Sequence, residues 1–423
     1  MRKAERKYWL NMQTCRMAFL IFSLLLSPFS FLVSQAFGGY LVDFKTSAKN
    51  FSDTIAIEWT GHQVYVPVVI NGQHMRFLLD TGAGQSVVYE GTELANGPSA
   101  GSIVSHDATG GSSTVNMVML PPITLGNTTL TGCRATVQPG PAPRGVDGLL
   151  GFDLVNGGLS LTIDVPRQLL IITDRFLPSP PRGGSIRYRL NYHVPYIDIY
   201  PFGRQRERVL IDTGSPRFFA MNKQHFDDAL LDMLPRHADP ATVSRWGDLT
   251  IEGRAIGRHA IGHYGVEPLG EVAFLCLNHL QIGSSVFSDL HCITTQGGSH
   301  LGAALLQHAV VTFDAKRKRV TITPCTDGEG DASVGIPVGN RQLEMAFVAN
   351  NDGLPQVGLV LPQSDPYRQG FRQGDVIEQI DGRPVLSLAQ FMRWGFEVGR
   401  TYTFTLRATD GQQHTANWVR IAK

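Results

Sequence analysis

Two stretches of this 423-residue chain share the same centre, Asp-Thr-Gly. The first is FLLDTGAGQSVV, from Phe77 to Val88, and the second is VLIDTGSPRFF, from Val209 to Phe219. In both, an apolar run leads directly into the aspartate. At average residue usage a given tripeptide of this kind occurs in about one chain in ten of this length, so two copies in matching contexts indicate an internal duplication. A duplication constrains the fold, because both copies must form the same local structure.

The segments around the two motifs also repeat, in the same order. The first copy contains YVPVVINGQHMRFLLDTG, PPITLGNTTL and GLLGFDLVNGGLSLTIDVPRQLLII. The second contains HVPYIDIYPFGRQRERVLIDTG, NHLQIGSSVF and HLGAALLQHAVVTFDAKRKRVTI. The third block lies farther from its motif in the second copy, so we expect the extra residues of that copy in loops.

Short runs of alternating apolar and polar residues dominate both copies. Examples are TIAIEW, QVYVPVVI, LSLTIDV, LLIIT, YIDIY, VVTFD and RVTIT, with turn residues between them. The chain has 45 Gly and 24 Pro, and only 17% of its residues are charged. This pattern predicts a mostly β chain of sandwiches or barrels. One segment, Asn222 to Leu234, has apolar residues at helical spacing and is predicted as a helix.

Two segments have the composition of linkers: LPSPPRGGS, from Leu177 to Ser185, and CTDGEGDASVG, from Cys325 to Gly335. A chain of this length is expected to form two or three domains. We therefore predict a leader followed by three folded units, at residues 1–36, 37–180, 181–326 and 334–423.

The N-terminus predicts export. Basic residues precede an apolar run from Met17 to Val33, which Pro28 interrupts, and the small-residue exit Ser34-Gln35-Ala36 follows. This is the pattern of a cleaved export signal, so we expect a periplasmic or secreted protein. The alternative is an uncleaved membrane anchor, because 17 apolar residues lie at the lower limit for spanning a bilayer.

The cysteines limit the possible disulfides, and the charge limits the possible partners. Cys133, Cys276, Cys292 and Cys325 follow the leader, and they allow either two disulfides in three possible pairings or four buried thiols. The net charge is +1 and the pI is about 7.8, without a basic stripe, which excludes a nucleic-acid-binding surface.

The two aspartates, Asp80 and Asp212, follow apolar strand ends. If the copies pack about a pseudo-twofold axis, the two carboxyls meet, and like charges in contact share one proton. One carboxylate then takes a proton from water while one carboxylic acid polarises a carbonyl, so amide hydrolysis needs neither a metal nor a cofactor. The hydroxyls of Thr81 and Thr213 are expected to form hydrogen bonds with the backbone of the other copy. Gly82 and Gly214 are expected to allow tight turns.

From about Gln63 to Pro324 the chain resembles the pepsin and retropepsin clan of aspartic proteases. DTGAGQSVV is similar to the retroviral form, and Ser215 after the second motif is closer to pepsin. The resemblance implies two β-barrel lobes, each with a hydrophobic-hydrophobic-Gly strand behind its aspartate. These strands fall on Leu149-Leu150-Gly151 and His300-Leu301-Gly302, where His300 departs from the pattern, as does Pro216.

The resemblance further implies a flap and a peptide or protein substrate bound in an extended form between the lobes. No tyrosine occurs between Tyr89 and Tyr188, so the pepsin flap does not carry over. The stretch DATGGSST, with Gly110 and Gly111 at a hairpin tip, matches the retroviral style instead.

Residues Val334 to Lys423 resemble a PDZ domain of the bacterial type, most specifically in GFRQGDVIEQIDGRPV. Turns at Gly374-Asp375 and Asp381-Gly382 are expected to bound the strand VIEQI, a helix is expected at Ser387 to Trp394, and TYTFTLRATDG is expected to form a closing hairpin. The resemblance implies that a C-terminal peptide adds as a strand beside Gly358 to Leu361, with its carboxylate held near DGLPQ.

These observations predict an exported aspartic endopeptidase. One alternative is a peptide-binding scaffold whose lobes do not cleave, which Pro216 and His300 favour. Another is a membrane-tethered processing peptidase. His259 and His263 are spaced like metal ligands on a helix, but the glycine-rich sequence around them disfavours a helix, so no metal site is predicted.

Overall fold

The computed structural model describes residues 42–140, 142–143, 145–180, 184–203, 205–235, 239–325 and 335–419. The predicted export signal and most of the predicted linker from Cys325 to Gly335 lie outside the described residues. Among the described residues, no helix is long and apolar enough to cross a bilayer. The fold is mostly β, as the alternating pattern predicts.

The first copy of the repeat, with the segment before it, contains fourteen strands among the described residues. They are β1 (Lys45–Thr46), β2 (Ser52–Ala56), β3 (Glu58–Trp59), β4 (Val64–Ile70), β5 (Gln73–Leu79), β6 (Val87–Tyr89), β7 (Ser99–His106), β8 (Ser112–Met119), β9 (Ile123–Leu125), β10 (Thr128–Thr131), β11 (Arg134–Gln138), β12 (Gly148–Leu150), β13 (Ser160–Asp164) and β14 (Leu169–Thr173).

The second copy continues the numbering. Its strands are β15 (Ile186–Arg187), β16 (Arg189–Asn191), β17 (Val194–Phe202), β18 (Gln205–Asp212), β19 (Phe219–Asn222), β20 (Arg245–Trp246), β21 (Leu249–Gly257), β22 (Ile261–Gly262), β23 (Gly265–Val266), β24 (Gly270–Leu277), β25 (Leu280–Ile282), β26 (Ser285–Ser288), β27 (Leu290–Thr295), β28 (His300–Gly302), β29 (Ala309–Asp314) and β30 (Arg319–Pro324).

The strands of the C-terminal part are β31 (Ile336–Pro337), β32 (Met345–Ala349), β33 (Pro355–Val360), β34 (Val376–Ile380), β35 (Arg383–Pro384), β36 (Thr401–Arg407) and β37 (Gln413–Val419). The helices are α1 (Asp153–Asn156), α2 (Lys223–Met233), α3 (Asp365–Arg368) and α4 (Leu388–Met392), with 3-10 turns at Glu93–Asn96, Pro240–Thr242 and Ala303–Gln307. The predicted helix at 222–234 is confirmed as α2, which begins after Asn222, whose side chain accepts a hydrogen bond from the backbone N–H of His225.

The sequence repeat is also a repeat of topology. One sheet runs β10-β9-β4-β5-β12-β6-β11-β8-β7, and the other runs β26-β25-β17-β18-β28-β19-β27-β24-β21. Each strand that precedes an Asp-Thr-Gly motif pairs in parallel with a short strand from the third block of its own copy, β5 with β12 and β18 with β28. Corresponding blocks therefore occupy corresponding places in the two sheets.

A further sheet joins the two copies. Its order is β15-β30-β29-β13-β14-β2, so β13 of the first copy pairs antiparallel with β29 of the second. An apolar cluster continues across this junction, where the rings of Phe152 and Phe313 meet edge to face at 5.1 Å. The two copies thus share a packed core, and burial of apolar surface holds them in one arrangement.

The C-terminal unit, defined here as residues 345–419, forms a sheet in the order β32-β33-β34-β36-β37 around its own core, which includes Phe371, Ile377 and Phe404. The predicted turns around β34 and the closing hairpin β36–β37 agree with the structure. The helix predicted at 387–394 is shorter, ending at Met392, and Ser387 caps it.

The peptide-binding edge expected beside Gly358 to Leu361 stays a prediction. β33 pairs with β32 from Pro355 to Val360, whereas its pairing with β34 is limited to Gln356. Where β34 diverges, the carbonyl of Gly358 accepts a hydrogen bond from the backbone N–H of Arg258 at 2.8 Å. The chain itself therefore contacts the strand edge to which the prediction assigns a peptide.

The thiols of Cys133, Cys276 and Cys292 are free and buried, so no disulfide joins these three residues. A core of this size does not require covalent staples.

Candidate active site

Asp80 and Asp212 are positioned by the same local structure. Each stands at the end of an apolar strand, and a parallel strand runs behind it. The backbone N–H of Asp80 donates to the carbonyl of Leu150 at 2.9 Å, and Asp212 pairs in register with Gly302. Both aspartates are buried, with exposed fractions of 9% and 8%. Sequence reasoning expected both strands, including the one that carries His300.

The two turns are linked by a reciprocal set of hydrogen bonds. The backbone N–H of Thr81 donates to Thr213 Oγ1 at 3.0 Å, and the backbone N–H of Thr213 donates to Thr81 Oγ1 at 3.0 Å. Each hydroxyl donates in turn to a carbonyl of the other copy, Thr81 to Ile211 and Thr213 to Leu79, both at 2.7 Å. Four buried bonds therefore fix the distance and orientation between the turns.

The glycines of the motifs allow the carboxyls to approach. A Cβ on Gly82 would lie 2.3 Å from Asp212 Oδ1, and a Cβ on Gly214 would lie 2.6 Å from Asp80 Oδ2. Any side chain there would collide with the carboxyl of the other copy. The same glycines orient the acids, since their backbone N–H groups donate to Oδ1 of Asp80 and of Asp212, both at 2.9 Å. Each aspartate thus lies over the turn of the other.

The environment holds a proton on this pair. Burial raises the pKa of Asp80, the negative charge of Asp212 and a hydrogen bond with it raise it further, and the result is about 7. Burial also raises the pKa of Asp212, but the hydrogen bond with Asp80 opposes that rise. The pair therefore keeps one proton up to about pH 7, and that proton belongs to both carboxyls together.

The first turn rests on a buried aspartate that sequence reasoning missed. Asp153 accepts hydrogen bonds from Gln85 Nε2 and Ser86 Oγ, both at 2.9 Å, and Ser86 Oγ accepts one from the backbone N–H of Gly151 at 3.1 Å. Burial raises the pKa of Asp153 to about 6. In the second copy Ala304 stands at the corresponding position. The sequence does contain a signal for it, which is an acidic residue two positions after the hydrophobic-hydrophobic-Gly pattern.

A different set of buried groups follows the second turn, and it includes an arginine, a histidine and a glutamate. Arg217 corresponds to Gln85, and the carboxylate of Glu267 is fully buried near it. His259 lies between them, with its Nε2 2.9 Å from the carbonyl of Thr294. Burial, then the charge of Arg217, lowers the pKa of His259 to about 4, so this histidine is neutral. His300 is buried beside the same charges.

Two hairpins meet at their tips. β7 and β8 form a hairpin where the flap was predicted, and Gly110 adopts φ +89 at its tip, where a left-handed turn favours glycine. β22 and β23 form a second hairpin that the sequence analysis did not predict. Asp107 joins them: its Oδ1 accepts from Gly111 N–H and its Oδ2 accepts from Tyr264 N–H, both at 2.8 Å.

The second hairpin also acts electrostatically on the pair Asp80 and Asp212. The positive charge of His263, at its tip, lowers the pKa of Asp80 and partly offsets the effects of burial and of Asp212. His259 and His263 therefore do not form a helical pair, since one lies at the base of the hairpin and the other at its tip. No sequence pattern indicated that His263 would face an aspartate more than 180 residues earlier in the chain.

One group in the described part of the chain combines three metal-ligand types. Ligand atoms of Glu252, Cys276 and His291 lie within 4.8 Å of one another. His291 Nδ1 and Glu252 Oε2 are already 2.9 Å apart as a hydrogen-bonded pair, and Gln342 Nε2 donates to the same carboxylate oxygen at 2.7 Å. These contacts satisfy the polar atoms without an ion.

Residues 66–154 match the sequence model of the family described as "Aspartyl protease". This part of the chain is similar to aspartyl proteases. The matched segment contains Asp80, the flap tip at Gly110 and the Leu149-Leu150-Gly151 strand, and it ends before Asp212. No curated protein matches the chain in sequence.

Three solved structures are similar to the chain at low identity. The aspartic proteinase from Irpex lacteus has 12% identity and a TM-score of 0.40, covering 67% of this chain and 100% of that one. Basic 7S globulin from soybean has 11% identity and a TM-score of 0.37, covering 64% and 94%. Conglutin gamma, a basic 7S globulin from lupine seeds, has 13% identity and a TM-score of 0.39, covering 68% and 99%.

Proposed function

We propose that this protein is an exported aspartic endopeptidase that hydrolyses peptide bonds with a water molecule activated by Asp80 and Asp212. The observation that supports it most directly is the reciprocal bonding of Thr81 and Thr213, which apposes two buried carboxyls. Buried like-charged carboxyls destabilise a fold unless they share a proton. That arrangement is the one acid–base hydrolysis requires.

In the proposed reaction the ionised carboxylate of Asp212 takes a proton from water as the water oxygen attacks the peptide carbonyl carbon. The protonated carboxyl of Asp80 donates its hydrogen to the carbonyl oxygen, which becomes a hydroxyl of the tetrahedral intermediate. Collapse of the intermediate breaks the C–N bond, and the amide nitrogen leaves with the proton that Asp212 received. Asp80 recovers a proton from the intermediate hydroxyl, so the shared proton is restored.

The substrate in this proposal is a peptide or protein in extended form, held between two lobes beneath the β7–β8 flap. The repeated strand order of the two large sheets supports the two-lobed arrangement. The C-terminal unit is proposed as a PDZ-like domain with a binding or regulatory role. We further propose export by the N-terminal segment, with a membrane-anchored processing peptidase as the alternative if that segment stays attached. N-terminal sequencing of the mature protein distinguishes these, since a start near Phe37 means release.

The test compares wild type with Asp80→Asn and Asp212→Asn on denatured casein and a fluorogenic peptide library from about pH 3 to pH 7, the range that brackets shared-proton carboxylates. We expect a bell-shaped pH profile in the wild type, inhibition by a statine-type compound, and loss of cleavage in both variants. Asp410→Asn is the matched control, because Asp410 lies in the exposed β36–β37 turn. Full activity of either dyad variant would remove the paired mechanism.

A peptide-binding scaffold is the second candidate. The contact between the two hairpin tips favours it, because Asp107 accepts hydrogen bonds from both hairpins and links them. A scaffold would bind casein peptides with equal affinity in the wild type and in Asp80→Asn, and neither protein would cleave at any pH in the range.

A further inference from the structure

The C-terminal unit is packed against the second large sheet. Val272, Phe274 and Ile293, from β24 and β27, form one buried apolar cluster with Ala346 and Leu359, from β32 and β33. Each of these five side chains is exposed by 9% or less. Because apolar burial stabilises the contact, the unit is seated in one position on this sheet and is not a loosely tethered module.

A backbone contact continues this surface. The N–H of Arg258 donates to the carbonyl of Gly358 at 2.8 Å, and Arg258 Nη2 donates to Gln356 Oε1 at 3.2 Å. A Cβ on Gly257 would lie 2.5 Å from Leu359 Cδ1 and 2.7 Å from the Gly358 carbonyl oxygen. A Cβ on Gly358 would lie 2.4 Å from the Arg258 carbonyl oxygen. The two strands therefore approach at a distance that only glycine permits.

Arg258 is also the residue directly before the second hairpin. The next two backbone N–H groups, of His259 and Ala260, donate to Glu267 Oε1 at 2.7 Å and 2.9 Å and close the hairpin base. The tip then reaches the β7–β8 hairpin, where the backbone N–H of Tyr264 donates to Asp107 Oδ2 at 2.8 Å. The same tip carries His263, whose charge lowers the pKa of Asp80. One short segment thus connects the surface of the C-terminal unit to the β7–β8 hairpin.

We propose that the docked C-terminal unit is a functional part of the active site, because its Gly358 edge holds Arg258 and thereby positions the Ile261–Val266 hairpin against the tip of the β7–β8 hairpin. This inference rests on the proposed peptidase function. The unit then acts on catalysis through the hairpin and not only by recruiting peptides. Anything that separates it from β21 lowers activity without unfolding either sheet.

The test uses full-length protein with one substitution on each side of the contact between β21 and the C-terminal unit. Leu361→Asp places a charge against Gly253, where Leu361 Cδ1 now packs, and Gly257→Leu forces apart the Gly257–Gly358 contact. Leu386→Asp is the matched control, since Leu386 lies in the same unit with 71% of its surface exposed. Hydrogen exchange of amides 259–266 is measured alongside kcat/KM, with protection of β5, β18 and β36 as the check that each fold remains intact.

We expect the double variant Gly257→Leu/Leu361→Asp to exchange the hairpin amides about tenfold faster or more, as local opening requires, while β5, β18 and β36 keep their protection. We expect kcat/KM to fall by about tenfold or more, with the control unchanged in both readouts. The proposal is overturned if the hairpin amides of the double variant exchange at the rate measured in the wild type. It is also overturned if the kcat/KM of the double variant equals that of the wild type. If the wild type itself cleaves nothing, the peptidase function fails, and the exchange measurement still decides whether the unit positions the hairpin.

Discussion

Thr81 and Thr213 bind each other's backbone across the duplication, each N–H donating to the other's hydroxyl at 3.0 Å. The hydroxyls are buried and also donate, so each one both accepts and donates a hydrogen bond across the junction. The junction between the two copies therefore depends on hydroxyl groups, and not on the size of the side chains.

Thr213→Val should weaken that junction. Valine has nearly the same shape, but it leaves the backbone N–H of Thr81 and the carbonyl of Leu79 without partners. We expect the free energy of unfolding to fall by about 1–3 kcal/mol per unsatisfied buried group and proteolytic activity to fall strongly. Urea denaturation and kcat/KM measure the two effects. Thr213→Ser keeps the hydroxyl and should retain both properties, and equal losses in Ser and Val variants would contradict the hydrogen-bond explanation.

Gly82→Ala should abolish activity in a protein that still folds. Its methyl group would meet Asp212 Oδ1 at 2.3 Å, which displaces the carboxyl from the dyad. We expect kcat/KM to fall by a factor of about 100 or more, because catalysis depends on positions to within about 1 Å. Gly298→Ala is the matched control, since nothing lies within 4 Å of its added Cβ. An active Gly82→Ala enzyme would show that the carboxyls do not need this approach.

Asp80→Asn should stabilise the protein at pH 7. The pKa of Asp80 in the fold, about 7, is higher than its ordinary value of 3.8, so the stability this group provides is full below about pH 4 and is lost as pH rises through 7. Asparagine cannot ionise, so its stability does not fall in this pH range for the same reason. We expect a gain on the order of 2 kcal/mol in unfolding free energy at pH 7 and a smaller difference at pH 4. Urea denaturation at both pH values measures this, and an equal difference at both would rule out the buried-proton explanation.

His263→Ala should shift the alkaline limb of the pH–rate profile. The charge of His263 lowers the pKa of Asp80, so its removal lets that pKa rise. Because the proposed reaction needs a proton on Asp80, activity should persist to higher pH than in the wild type. The profile of kcat/KM from pH 4 to pH 9 checks this, with His74→Ala as a control on the exposed part of β5. A limb that stays in place, or moves to lower pH, contradicts the prediction.

Much of the fold could be read from local patterns. The apolar-polar alternation predicted β4, β13, β14, β17, β29 and β30, and the helical spacing from Asn222 predicted α2. The duplicated Asp-Thr-Gly motif indicated that two similar strand ends exist, and Gly110 marked a hairpin tip. These features depend on residues close together in the sequence, so one sequence contains the information that specifies them.

Tertiary structure decided which of these elements meet. Alternation does not encode the neighbours of a strand, so the contact of β33 with Arg258 could not be recognised. The approach of His263 to Asp80, the support of Asp153 beneath the first turn and the burial of Glu267 beside Arg217 all join residues far apart in the chain. The pKa of Asp80 follows from burial and from a second carboxyl 132 positions away. The sequence by itself determined two acids at two strand ends, and only the packing of the two copies brought their carboxyls together, because contacts between residues far apart in the chain set that packing.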